Sequence, residues 1–288
     1  MDAGVARLSH MSHSSKFRFT NHLLCCVAIA SLGGCIAQDD DDSADEGTVD
    51  EAEMFTHPDE DIAGSQVRLV EGEDEPAVEA LVTQTPGLDV SGYQGNVNWS
   101  ATRGNGARFA YIKATQGTTY RNPYFSQQYT GSYNAGIIRG AYHFATPNTA
   151  SGSAQATFFV NHGGGWSRDG KTLPPALDLE YNPYGSACYG KTHAQMVAWI
   201  RDFANTVKAR TGRDVVFYTS TSWWTLCTGN NASFGNNPLW IPRYGSSVGT
   251  LPASWSFRTI WQYADHGTFP GDQNRFNGDF SRVQAFAL

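Results

Sequence analysis

The globular part of this 288-residue chain is predicted to be an α/β protein, a closed (β/α)-type barrel. Three observations predict it. Short apolar runs of strand type alternate with helical spacing over about 200 residues, the pattern of a parallel sheet. Seven or eight such runs are present, enough for closure, and the helical matter between the last of them is short. No GxGxxG follows a strand, so the open doubly wound sheet lacks its usual mark.

Upstream of the barrel the composition changes. Lys16 and Arg18 precede a ten-residue apolar run, Leu23 to Leu32. That is too short to span a bilayer but suits the apolar core of an export signal. Leu32-Gly33-Gly34-Cys35 resembles a bacterial lipobox, so residues 1–35 are expected to be a signal peptide with Cys35 as the lipidated residue. Met11 is an alternative start, because the ten residues before it add nothing to the signal. Residues 36–82 hold 17 Asp and Glu against one basic residue, Arg68, with no Trp or Tyr. Such a segment cannot bury enough apolar surface to offset its ordering entropy, and it is expected to be a disordered acidic linker. Residues 83–288 reverse the balance, with 16 Lys and Arg against 9 acids, so the overall charge of −7 hides a cationic domain. A cationic body suits an anionic polymer. No basic cluster is interleaved with RNA-type aromatic motifs, which sets nucleic acid aside.

Within residues 83–288 the elements follow in order. Gly87 to Val90, after Pro86, is the first strand, and Phe109 to Ala114 the second. Asn122-Pro123 is read as a helix start that Gly136 closes. Ile137 to Phe144 is the third strand, a helix follows around Ala154 to Val160, and Gly163-Gly164-Gly165 makes a turn. Ala176 to Glu180 is the fourth strand. Thr192 and Gln195 form a capping box for a helix whose apolar positions Val197, Ile200, Phe203, Ala204 and Val207 run up to Gly212. Val215 to Tyr218, Pro238 to Ile241 and Thr259 to Tyr263 complete the strands. Of the five cysteines, Cys25 and Cys26 leave with the signal. Cys188 and Cys227 remain, and in an exported chain they most simply pair. Two cysteines with neither CxxC spacing nor a His pair offer too few ligands for a metal, and no cofactor is implied.

The chemistry centres on Leu173-Pro174-Pro175-Ala176-Leu177-Asp178-Leu179-Glu180-Tyr181. Alternation puts Asp178 and Glu180 on one face and Leu177 and Leu179 on the other. Neighbouring carboxyls repel, which raises one pKa, and a protonated group beside an ionised one is what cleavage of a glycosidic bond needs. A strand end whose acids form salt bridges is the plain alternative. Chemistry in a barrel gathers where strands end: Asp89, Asp178 and Glu180 fall at such places, and Asp272, in Gly271-Asp272-Gln273-Asn274, enters the last strand. Asp169, Asp202, Asp214, Asp265 and Asp279 are assigned to helix faces, turns or loops, Asp265 being the one nearest a strand end.

Five motifs in unbroken order carry a resemblance. Gly87-Leu88-Asp89-Val90-Ser91-x-x-Gln94-Gly95, Tyr111-Ile112-Lys113-Ala114-Thr115, Arg139-Gly140-Ala141-Tyr142-His143-Phe144, the Asp178-x-Glu180 strand and Trp261-Gln262-Tyr263 are similar to glycoside hydrolase family 25. These are the Chalaropsis-type lysozymes or N-acetylmuramidases, with secreted actinomycete members the nearest in pattern. The resemblance covers Pro86 to Leu288. It implies a (β/α)-type barrel with irregular last strands, acting as a monomer without cofactor on peptidoglycan glycan strands. The implied bond is the β-1,4 link between N-acetylmuramic acid and N-acetylglucosamine. It also implies Glu180 as proton donor, Asp178 as its tuning neighbour, and Asp89 and Asp272 as base or nucleophile and support. Gln116 departs from the pattern, where members usually carry Glu.

Tyr111, Tyr142, Tyr218, Trp240 and Gln262 are candidate sugar contacts, although the aromatic ones equally suit a barrel core. His143 reads as a satisfied interior histidine, Lys113 as either an ion-pair partner of the carboxyls or a substrate contact, and Trp223-Trp224 as packing for the disulfide region. Two rival readings are a silent wall-binding module using the same groove and a chitinase-like hydrolase. The latter's DxxDxDxE strand is absent, since Leu173-Pro174-Pro175-Ala176 precedes Asp178.

Overall fold

The computed structural model describes residues 83–288, so the signal peptide, the lipobox at Cys35 and the acidic linker lie outside the described residues. Eight strands close a barrel. They are β1 (Gln84–Val90), β2 (Phe109–Gln116), β4 (Ile138–Phe144), β5 (Ala176–Asp178), β6 (Val216–Tyr218), β7 (Leu239–Pro242), β8 (Ile260–Ala264) and β9 (Asp272–Asn277), with the two-residue β3 (Tyr120–Arg121) turned back on the end of β2. Neighbours from β1 through β8 are parallel. β9 runs antiparallel to both β8 and β1 and closes the ring. The irregular last strand is therefore an inverted one.

Alternation along the strands builds two layers of core. Phe109, Tyr111, Tyr142, Ala176, Val216, Tyr218, Trp240, Ile260 and Phe276 fill the barrel interior. The residues between them, among them Leu177, Leu179, Phe217, Leu239, Ile241 and Trp261, face outward against the helices. Those helices are α1 (Trp99–Gly104), α2 (Phe125–Asn134), α3 (Gly152–Asn161), α4 (His193–Thr211), α5 (Thr221–Thr228) and α6 (Phe280–Phe286). Val283 and Ala287 from α6 and the residue after it join the interior cluster and plug the barrel from below. Gly140 is required where it stands, because a Cβ there would lie 2.5 Å from the Tyr111 ring.

The capping box at Thr192 and Gln195 forms as expected, and α4 ends on Gly212 in the left-handed conformation. Asn122 does not cap a helix directly. Its side chain accepts from Tyr124 N, and the helix starts three residues later, at Phe125. Cys188 and Cys227 form the disulfide and tie the loop after β5 to α5. Trp223 and Trp224 are fully buried on α5, with Trp224 packed against Phe234 and Trp255.

Candidate active site

Inward alternation continues past the end of β5. Ala176 faces the barrel interior and Leu177 and Leu179 face the helices, so Asp178 and Glu180 project toward the mouth. Both are nearly covered, with 2% and 5% of their surface exposed. Across the barrel Asp89 ends β1 by the same logic, since its neighbours Leu88 and Val90 lie in the outer layer. Because β9 is inverted, its first residue and not its last sits at this end, and Asp272 pairs in register with Asp89.

One amide links that pair. Gln262 Nε2 donates to Asp89 Oδ2 at 3.0 Å and to Asp272 Oδ2 at 3.1 Å. Asn274 Nδ2 donates to the same Asp89 oxygen at 2.6 Å. Each amide is fixed in turn: Trp240 Nε1 donates to Asn274 Oδ1 at 2.7 Å, while the hydroxyls of Tyr218 and Tyr244 donate to Gln262 Oε1 at 2.9 and 3.2 Å. Those bonds orient both NH₂ groups toward the carboxyls.

The two acids are thereby made unequal. Burial pushes the Asp89 carboxyl up to about 6, and the Gln262 and Asn274 donors hold it from going higher. Asp272 is pushed up to about 9 by burial, then by the charges of Asp89, Asp265 and Asp178. At neutral pH Asp89 is the anion and Asp272 keeps the proton. The hydroxyls show that all these acids meet at one mouth. Tyr218 is raised first by burial and then by Glu180, Tyr244, Asp178 and Asp89; Tyr244 by burial and then by Asp272, Asp89, Asp265 and Glu180.

All five expected sugar contacts are buried. Tyr111 has no exposed surface, donates to Pro174 O at 2.8 Å and stacks on Trp240 at 4.9 Å, so it packs within the barrel core. Trp240 is buried on Asn274 with Tyr142 and Tyr218 edge-on to its ring, and it acts on the carboxyls through Asn274. Gln262 is buried and is the shared donor. Asn274 and Tyr244 were not singled out from the sequence, although Asn274 stands two residues from Asp272 and so shares its face. Asp265 belongs at the mouth and not among the plain loop acids. The β8–β9 register, ending Ala264↔Gln273, brings it beside Asp272.

The rest of the neighbourhood is structural. Lys113 Nζ donates to Gln116 Oε1 at 2.9 Å and lies 4.7 Å over the Phe144 ring, while Gln116 Nε2 donates to the Tyr184 hydroxyl at 3.1 Å. His143 lies outside the barrel wall, between Thr115 and Gln155, stacked on Phe203, and burial lowers it to about 4, leaving it neutral. Asp169, Asp202 and Asp279 accept from loop or helix-start N–H groups, and Asp214 pairs with Lys208. Among the described residues no group of three or more His, Cys, Asp or Glu is placed to hold a metal ion.

A barrel whose mouth holds an anionic carboxyl, a protonated one and a further acidic pair on the facing strand defines a carboxyl-dependent hydrolase of the glycosidase type. The chain belongs to glycosyl hydrolases family 25, whose family model matches residues 88–272. It is 52% identical over 207 residues to lysozyme M1 of Streptomyces globisporus, covering 70% of each chain. It is 48% identical over 206 residues to the N,O-diacetylmuramidase of Chalaropsis sp, covering 70% of this chain and 98% of that one. The solved family GH25 lysozyme of Aspergillus fumigatus superposes with a TM-score of 0.70 at 48% identity, covering 71% of this chain and 99% of the other.

Proposed function

We propose that this glycoside hydrolase cleaves the β-1,4 bond between N-acetylmuramic acid and N-acetylglucosamine in peptidoglycan. The observation that carries the reading is the Gln262 amide shared by Asp89 and Asp272 opposite the Asp178–Glu180 strand. It joins two buried acids of which only Asp89 has a second amide donor, across a mouth from a second acidic pair. Two relatives, a lysozyme and an N,O-diacetylmuramidase, support the substrate class.

In this reading Glu180 protonates the glycosidic oxygen as the bond breaks, and Asp178 beside it orients the sugar. Asp89, anionic at neutral pH, faces the positive charge that grows on the sugar ring in an oxocarbenium-like transition state. Asp272 holds its proton while accepting from Gln262, which spares the mouth a second full charge on that side. Gln116 keeps the hydrogen bonds to Lys113 and Tyr184 without a charge, so activity survives the departure from the family pattern.

The test is mass analysis of fragments released from purified peptidoglycan. Reducing ends of N-acetylmuramic acid are expected; reducing N-acetylglucosamine would exclude a muramidase. Glu180→Gln is expected to lower kcat by at least ~10²-fold while the chain is still retained on walls. The enzyme is further read as an exported monomer anchored through Cys35. Cys35→Ser would release it from the membrane fraction, and an unchanged distribution would remove the anchor.

A further inference from the structure

We propose that the end of the barrel opposite the mouth is a docking face for an anionic membrane surface. The strand directions sort the charges of residues 83–288. Ten of their sixteen Lys and Arg lie in the turns, strand starts and helix ends at the closed end, against three of their nine acids, whereas the mouth carries four cations and five acids. Eight of those ten are arginines, whose planar fork suits phosphate oxygens. The group includes Arg103, Arg108, Arg168, Lys171, Arg213 and Arg282. Arg139 and Arg258 are buried beneath it and brace it.

What separates a membrane from a soluble polyanion is apolar surface set among those charges. Phe257 is 66% exposed and Leu288 is 52% exposed, both at this end. Phe257, Arg258, Arg282 and Phe286 line one groove. Lys171 stands 4.5 Å over the Tyr133 ring, and Arg213 stands 4.6 Å over Trp166 while donating to Phe286 O. Aromatic rings beside cations suit the headgroup layer, where one edge meets acyl chains and the other phosphates. β1 also starts at this end, at Gln84. Docked this way, the mouth points away from the lipid.

The test uses the full chain with Cys35→Ser, so that no acyl chain contributes. It is sedimented with vesicles of phosphatidylcholine alone and mixed with phosphatidylglycerol. Binding to the mixed vesicles at least ~10-fold above the neutral ones is expected at low salt, falling as salt rises. The triple variant Arg168→Glu, Lys171→Glu, Arg282→Glu is expected to lose it, while release of soluble peptidoglycan fragments stays at the parent rate. Phe257→Ala is expected to weaken what binding persists at high salt. Equal binding to both vesicles, an unaffected triple variant, or retention by inorganic polyphosphate alone would each overturn the proposal. Fragment release reads the catalytic assignment separately, so either idea can fail without the other.

Discussion

The acid proposed to act as the anion, Asp89, is held toward its ionised form by two neutral side chains. Asp89 is buried, and burial alone favours its protonated form; the amides of Gln262 and Asn274 offset part of that cost. Removing one donor therefore moves a titration. Asn274→Ala is expected to raise the Asp89 pKa above its present value of about 6. The acid limb of the kcat/KM profile would then move to higher pH by roughly one unit, with the alkaline limb of Asp272 near 9 left in place. A profile unchanged on the acid side would detach Asp89 from the rate. Hydroxyl donation from Tyr218 sets the Gln262 amide, so Tyr218→Phe is expected to shift the same limb by less. At this scale the acids were legible; of their governors, Gln262 was named only as a sugar contact and Asn274 was not singled out. Asp and Glu announce themselves by charge, but an Asn and a Gln become part of a site only when a pairing register places them beside one.

At the scale of elements the inverted strand decides the site. The parallel strands were visible as apolar runs because both their faces are buried. β9 reads Asp-Gln-Asn-Arg-Phe-Asn, with Asp272 and Asn274 inward at the mouth and Arg275 outward against the Trp261 and Tyr263 rings. Its inward face carries function where a core strand carries Val or Ile, so hydrophobic alternation could not reveal it or its direction. Its entry is tightly specified. Gly271 has φ of +72°, and a Cβ there would lie 2.1 Å from Asp89 O. Gly271→Ala is expected to push β1 and β9 apart, costing ~1–3 kcal/mol in urea unfolding and lowering kcat more than KM rises. A fully active, equally stable variant would show that the Asp89–Asp272 register matters little. The helix expected at Asn122-Pro123 forms but starts three residues later, at Phe125. Asn122 used its side chain for an Asx-type turn and to reach Lys113 O and Gln128 Oε1, all short-range polar bonds that mimic a cap. The disulfide was foreseen from compartment alone. It closes a 39-residue separation, and replacing both cysteines by Ser is expected to lower stability by ~2–4 kcal/mol with the mouth's chemistry retained.

Across the whole molecule, the mouth's chemistry runs against its stability, and pH exposes the conflict. Asp89 and Asp272 bind protons more tightly in the folded chain than at the ordinary carboxyl value of 3.8. Between that value and their raised ones the folded state holds more protons than the unfolded state, so stability falls as pH rises through that window. Asp89 contributes up to about 6 and Asp272 up to about 9. His143 has the opposite sign: lowered from 6.5 to about 4, it leaves the unfolded state with the extra proton, so stability rises with pH across that range and partly cancels the acids there. Above 6.5 no such cancellation operates, and the Asp272 slope stands alone among these three groups. The thermal midpoint of the parent is therefore expected to fall from pH 6.5 to 9, and Asp272→Asn, which needs no proton to stay neutral, is expected to flatten that fall. At pH 9 the variant should melt higher than the parent, by about 2–4 °C for each kcal/mol removed, while turning over substrate more slowly at every pH. A variant that melts lower at pH 9, or whose midpoint keeps the parent's slope, would mean that Asp272 does not carry the proton the mouth requires.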